Sequence, residues 1–472
     1  MISKCPYFSP ENSKILIILG KIVQVISAKL PFAAAIVLVF CLSLCISKDV
    51  IGGEHEHGSS ATGLDLEVPI EMSMIPCGSL AARAQDFNRT KVRLSDADYD
   101  GSPLWFFEIV AKNSSNSDKI ITLKTESGPK AAITVPANTA FPMRFRTASF
   151  TPDSGWAVYY LNLPATTSDY QLIVWSSRII IQQTLATKTR IQIPLFGRPL
   201  DPHQYNWAIY SEGPPVWPRV TSSAASGVWE ELGHSRRWKK EGNTYADLAP
   251  GACWTFEAVL QVTDEGKNPN YCTLWNETMN QQVASSEVSN TKSTYTLHYA
   301  DFPDNTAQFT DGHEFGIRTK GYASNPPRVA DARLYVRLTN LSKVQIIYTV
   351  GYEDVVYAKQ ERFNDYSRVL IDVAKFSHPK FYFESFGSSN DDQQVLFLRD
   401  DGMNDSGVEG KDILESGISF MSNQMVRKRV GPIPLTGARR YDVHCPASPK
   451  NVSSRTNWLI IEVQRSTPSV SF

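Results

Sequence analysis

The run Asp96-Ala97-Asp98-Tyr99-Asp100-Gly101 is the densest local grouping of side chains that could do chemistry in this chain. Alternate carboxylates can converge on one hard cation, and the glycine permits the sharp turn such a loop needs. Asp96, Asp98 and Asp100 are therefore candidate ligands for a structural calcium ion. The competing reading is an acidic turn leading into the strand near Trp105. Phe107 stands where a twelfth-position acid would complete a helix-flanked calcium loop, and Glu108 comes one residue later. Asp400, Asp401, Asn404 and Asp405 form a looser version of the same pattern.

A second candidate recurs. Trp105-Phe106-Phe107-Glu108, Trp254-Thr255-Phe256-Glu257 and Phe381-Tyr382-Phe383-Glu384 share aromatic-x-Phe-Glu. In a strand the outer aromatic and the Phe lie on one face and the Glu on the other. The Glu is then either a solvated residue opposite a core-facing aromatic pair, or a carboxylate presented to a ligand on a concave sheet. The Pro/Trp-rich stretch around Trp207, Trp217, Trp229 and Trp238 offers rings that could stack on the apolar faces of sugars. Alternatively, these rings fill a contact between domains.

Familiar catalytic signatures do not occur. The sequence has no Gly-x-Ser-x-Gly, no His-Glu-x-x-His, no phosphate-binding glycine loop and no Cys-x-x-Cys. His55-Glu56-His57 sits in a Gly/Ser-rich stretch and reads as spacer. Carboxylate pairs of glycoside hydrolases are recognised by their separation in space, so a hydrolase or lyase acting on polysaccharide stays open as an alternative. The net charge of −1 offers no long-range attraction to nucleic acid.

The elements that must position these residues are strands. Short runs rich in Val, Ile, Thr, Tyr, Phe and Trp alternate with Gly, Asn, Asp, Pro and Ser, as in Trp156 to Leu161, Ile191 to Leu195 and Val344 to Val350. The chain of 472 residues exceeds one ordinary domain. The aromatic motif recurs at intervals of roughly 120–150 residues, which suits one jelly-roll-like sandwich per block. The expected fold is all-β, with tandem β-sandwiches after an N-terminal hydrophobic helix. The expected segments are 1–48 as signal peptide or signal anchor, 49–65 as spacer and 66–198 as the first sandwich. A Pro/Trp-rich linker follows at 199–235, then sandwiches at 236–358 and 359–472. The strand style loosely resembles carbohydrate-binding jelly rolls and other extracellular sandwich modules, which implies a fold and not a function.

The address is read from the start of the chain. Lys4, Lys14, Lys21 and Lys29 precede an apolar run from Leu30 to Ile46, and Asp49, Glu54 and Glu56 follow it. This orientation carries the rest of the chain across a membrane, either with cleavage near Ser47 or as an uncut anchor. In an oxidising space, Cys253 and Cys272 are the favoured disulfide, with Cys77 and Cys445 as a second pair. Asn88, Asn113, Asn276, Asn340, Asn404 and Asn451 open glycosylation sequons. The leading expectation is a secreted or membrane-anchored, non-enzymatic protein of the cell surface or extracellular space. Its expected ligand is a glycan or an extracellular protein. A structural or adhesion component of a surface is the further alternative.

Overall fold

The computed structural model describes residues 66–464, apart from 74–76, 101, 140–141, 184–187, 198–226, 233–234, 243–244, 246, 323–324, 326, 340–341, 351–354, 359–361, 390–393, 403–409, 422–423 and 447–450. The Leu30–Ile46 run, His55 to His57, Trp207, Trp217, Asn340 and Asn404 therefore lie outside the described residues. Among the described residues no helix is long and apolar enough to cross a membrane. Their regular structure is β-strand with three short 3-10 turns. The fold is all-β, built from antiparallel sheets of the jelly-roll-like sandwich kind.

Each aromatic-x-Phe-Glu motif lies on a strand of a four-strand arrangement that repeats three times. We name its strands opening, closing, motif and rim, in their order across the sheet. In the first sandwich these are Leu66–Ser73, Leu172–Gln183, Leu104–Asn113 and Met143–Arg146. In the second they are Lys188–Gly197, Arg328–Thr339, Trp254–Gln261 and Thr296–Phe302. In the third they are Lys343–Thr349, Asn451–Gln464, Lys380–Ser389 and Val426–Ile433. A second sheet faces each of these. Its edge strand is Gln85–Leu94 in the first sandwich, the short pieces Glu230–Glu231 and Trp238–Lys239 in the second, and Arg362–Asp372 in the third.

Alternation builds the cores. Trp105, Phe107 and Ile109 of the first motif strand are buried with Leu66, Val68 and Ile70 of the opening strand, and Trp254 and Phe256, then Phe381 and Phe383, repeat the arrangement. Complete burial of such side chains contributes about 1.5–3 kcal/mol each. The strand pairing moves two boundaries. Ile191 to Leu195 was expected to close the first sandwich, but Lys188–Gly197 pairs with the closing strand of the second. Likewise Lys343–Thr349 and Val355–Ala358 pair with the closing strand of the third sandwich, not within the second. Alternation marks a strand without naming its partner, so a strand between two blocks is ambiguous until it pairs.

The motif glutamates do face away from their cores, yet they are not solvated. Glu108, Glu257 and Glu384 are all buried, because the outer face of each motif sheet is covered by a neighbouring sandwich. Arg93, on the edge strand of the first sandwich, reaches Glu257 on the second (Nε to Oε1, 3.2 Å). Glu241, following the edge piece of the second, pairs with Arg427 and Arg429 of the third at 3.4 and 3.2 Å. Lys375, just beyond the edge strand of the third, reaches Glu67 of the first at 3.4 Å, and the Tyr348 hydroxyl of the third donates to Glu67 at 3.4 Å. Edge onto face thus runs from first to second, second to third and third back to first, a closed head-to-tail ring.

Within the ring each motif carboxylate is neutralised by arginine. Glu108 meets Arg144 at 2.6 Å, Arg146 at 3.0 Å and Arg178 at 3.5 Å. Glu384 meets Arg427 and Arg429, each at 2.7 Å, and Glu257 meets Arg190 at 2.8 Å. Burial pushes the Glu108 carboxyl up, but Arg144, Arg146 and Arg178 outweigh it and hold the group at about 2. Glu108→Ala leaves three arginines without their shared counter-charge and is expected to lower stability by about 3–5 kcal/mol at pH 7, read as a lower urea midpoint. The folded value lies below the ordinary 4.5, so the Glu108 contribution is complete above pH 4.5 and lost as pH falls toward 2. The gap between wild type and variant should close over that interval.

Candidate functional site

The seam between the first and second sandwiches begins with the acidic run. Asp96–Asp98 forms a 3-10 turn after the edge strand. Asp96 Oδ1 accepts the backbone N–H of Gly155 at 3.2 Å and so anchors the loop that carries Trp156. Gly155 has φ of +76°, a left-handed conformation that glycine adopts without strain. Asp98 faces Arg190 and Arg337 of the second sandwich at 3.8 and 3.9 Å. Tyr99 stacks edge-on against Trp105 with centroids 5.2 Å apart, and its hydroxyl donates to the Arg190 carbonyl at 3.4 Å. Lys188 Nζ donates to the carbonyl of Ala97 at 2.7 Å.

Among the described residues no group of three His, Cys, Asp or Glu side chains could hold a metal ion. Asp96 and Asp98 instead serve as a docking turn. Burial raises the Asp98 carboxyl above its usual range, and Arg190, Arg337 and Arg93 offset this only in part. The looser run in the third sandwich is also an ion-pair element, since Asp401 meets Arg368 at 3.1 Å and Arg399 at 3.3 Å.

The turn brings together residues that the sequence pattern did not single out. The Arg93 guanidinium lies 4.0 Å from the Trp156 ring centroid and 3.4 Å from that of Tyr299. Trp156 comes from the first sandwich, in the loop before Ala157–Leu163, and Tyr299 from the rim strand of the second. Both rings are broadly exposed, Trp156 at 45% and Tyr299 at 53%. Arg93 is fixed from behind by Glu257, and its Nη2 lies 3.7 Å from Asp301. Arg337 reaches the same Asp301 at 3.2 Å, and the Thr255 hydroxyl donates to it. Arg93, Arg190 and Arg337 are thus matched by Asp98, Glu257 and Asp301, a balanced set beneath two exposed rings.

The repeat shows that this seam is special. Tyr299 faces Glu257 across the rim and motif strands. In the first and third sandwiches the same register position holds Arg146, facing Glu108, and Arg429, facing Glu384. Where the other sheets place a rim-strand arginine against their own motif glutamate, the second takes Arg93 from its neighbour and spends the rim position on an exposed aromatic.

The other candidate residues fall differently. Trp238 is core, with ring centroids 5.8 Å from Trp254, 6.1 Å from Phe309 and 5.8 Å from Phe315, so it is not a ligand contact. Trp229 is half-buried beside Trp275 at 6.1 Å, with the Lys320 ammonium 4.5 Å from its centroid. Cys253, just before the motif strand Trp254–Gln261, and Cys272, on Asn270–Asn276 of the opposed sheet, are free and buried rather than joined, and Cys77 and Cys445 are likewise free. Burial pushes all four thiols up, Cys445 to about 12. Asn88 is exposed on its edge strand. Asn113 is buried, its amide donating to the carbonyls of Ser117 and Val135 while its oxygen accepts from Ser115. Asn276 is buried too, donating to the Gln308 carbonyl and accepting from the Met279 N–H. A glycan on either would have to displace these bonds, so both are structural amides in the folded chain. Asn451 opens the closing strand of the third sandwich.

No family model and no curated protein matches the sequence. Solved structures to which the chain is similar include a triple jelly-roll protein of the turret assembly in an archaeal virus. It is 11% identical, covers 82% of this chain and 84% of its own, and has a TM-score of 0.16. The N-terminal CBM22 tandem domain of Paenibacillus barcinonensis Xyn10C is 10% identical over 59% of this chain and all of its own, at TM-score 0.17. The PBSX exported protein XepA is 9% identical over 57% and 86%, at TM-score 0.16. At such scores these likenesses carry no argument about function. The geometry instead separates the tryptophans: Trp238→Ala should cost about 3–5 kcal/mol by emptying a core site, whereas Trp156→Ala should leave the melting temperature within a few degrees of wild type, both read by thermal unfolding.

Proposed function

We propose that the chain is a non-enzymatic ectodomain that binds a neutral, hydroxyl-rich glycan at the seam between its first and second sandwiches. The observation that carries this reading is the pair of exposed rings, Trp156 and Tyr299, both held against Arg93 at the seam. The exposed parts of these rings offer apolar surface to the C–H faces of sugars. Asp301 and Arg337, part-exposed at the same surface, offer an acceptor and donors for hydroxyls. Their balanced charge selects neither a strongly anionic nor a strongly cationic ligand. Rigid aromatics positioned before binding limit the entropy that association must overcome.

The hydrolase alternative has less support. A general acid and base must reach the scissile bond, and Glu108, Glu257 and Glu384 are buried and bound to arginine. Delivery across a membrane by the N-terminal apolar run, and action at the cell surface or beyond, belong to the same proposal. The exposed sequon at Asn88 fits that address.

A glycan array followed by calorimetry with the best neutral oligosaccharide tests the reading. Trp156→Ala and Tyr299→Ala should each weaken binding at least tenfold, with melting temperatures close to wild type. Tyr299→Arg, which copies the other two sandwiches, should weaken it similarly. Silence across the array, or binding that survives both alanine variants, would sink the proposal.

A further inference from the structure

The ring of sandwiches has a centre distinct from the binding seam. Glu71, on the opening strand of the first sandwich, and Asp331, on the closing strand of the second, are both fully buried there. All three sandwiches reach Glu71. Gln192 of the second accepts the Glu71 N–H at 2.7 Å and donates to its carbonyl at 3.1 Å. The Thr349 backbone of the third favours the charged form of its carboxylate. Arg178 and Glu108 of the first and Arg236 of the second also face that carboxylate. Asp331 faces Arg333 on its own strand, Arg236, and Arg89 from the edge strand of the first sandwich. Arg236 therefore serves both acids while its Nη1 donates to the Pro194 carbonyl at 2.9 Å.

These central pairs are slack beside the motif pairs. Glu71 lies 3.4 Å from Arg178 and Asp331 lies 3.3 Å from Arg333, whereas Glu108 and Glu384 make contacts of 2.6 and 2.7 Å. A buried carboxylate held by long, shared contacts recovers less of the hydration it gives up. Burial accordingly dominates both groups: it raises Asp331 to about 7 against the partial offset of Arg333 and Arg236, and it raises Glu71 against Arg178.

We propose that this centre is an acid-tightened interlock: protons on Asp331 and Glu71 hold the three sandwiches docked, and their loss toward neutral pH loosens the ring. The sign follows from linkage. Asp331 stands at about 7 in the docked chain against an ordinary value of 3.8, so an opening of the ring that returns it to water releases a proton between those limits. The docked fraction is favoured most below pH 3.8, weakens up to tenfold per pH unit toward 7, and levels off above it. Glu71 acts in the same direction. Glu108 acts oppositely, but only below pH 4.5. The interval from pH 5 to 7 therefore reads the centre.

Hydrogen exchange of the opening strands, followed by mass spectrometry and corrected for intrinsic exchange, tests this on the exported chain without any ligand. Protection at 66–73 and 188–197 should fall at least tenfold from pH 5 to pH 7. Asp331→Asn, an uncharged copy of the protonated acid, should match wild type at pH 5 and stay nearly flat to pH 7. If that variant fails to fold by circular dichroism, Glu71→Gln serves in its place and should show a shallower fall than wild type. A flat wild-type profile, or an equal fall in a folded variant, overturns the proposal, and neither outcome bears on the glycan seam.

Discussion

The architecture depends on burying charge between layers that in an isolated sandwich would face water. Each motif sheet turns apolar rings inward and a glutamate outward, and the next sandwich lays an edge strand over that outward face. Desolvating a carboxylate costs several kcal/mol unless a partner compensates. The compensation is arginine at contacts as short as 2.6 Å. Because a guanidinium bonds only along fixed directions, the pairs that cross a seam, Arg93 with Glu257 and Glu241 with Arg427 and Arg429, also orient one sandwich on another. Apolar contact alone has no comparable directionality. The cyclic arrangement has a second effect: an edge strand docked on its neighbour is withdrawn from pairing with other chains.

Much of this was legible from side-chain alternation. The rings at Trp105 and Phe107, Trp254 and Phe256, and Phe381 and Phe383 lie in the cores that their period of two implies, and the three motif strands occupy equivalent places in three sheets. Alternation also placed Glu108, Glu257 and Glu384 on the opposite face. It could not reveal that this face is covered, since the covering residues, such as Arg93 and Glu241, lie far away in sequence. The same limit applies to the tryptophans. Trp238 stands in a polar, Pro/Trp-rich neighbourhood and is core, while Trp156, which reads as the first residue of an ordinary strand, is half in water. Nothing local distinguishes them. The acidic run Asp96 to Asp100 was open to two readings, a cation loop or an acidic turn, and its spacing suits a cation as well as it suits Arg190 and Arg337. Only the partner decides.

The threefold repetition makes departures from it informative. Three sheets share strand order and motif, so a residue that breaks the pattern is one the common fold does not require. Tyr299 is such a residue, standing where Arg146 and Arg429 stand elsewhere. Its replacement of a rim arginine is accommodated because Arg93 arrives from across the seam. Glu257 keeps Arg190 of its own sandwich and gains Arg93 from the neighbour. Composite surfaces of this kind are open to variation in a way that the individual cores, filled from within, are not.

The four thiols carry a consequence of their own. Cys77, Cys253, Cys272 and Cys445 are sealed in apolar surroundings, unlinked and held in protonated form. Thiolate is the species that oxidants and disulfides attack, and burial suppresses it. Among the described residues the fold accordingly draws nothing from covalent cross-linking. The same native state is open to it under glutathione or in air, and its durability outside a cell would rest on interlocking and apolar packing, not on sulfur chemistry.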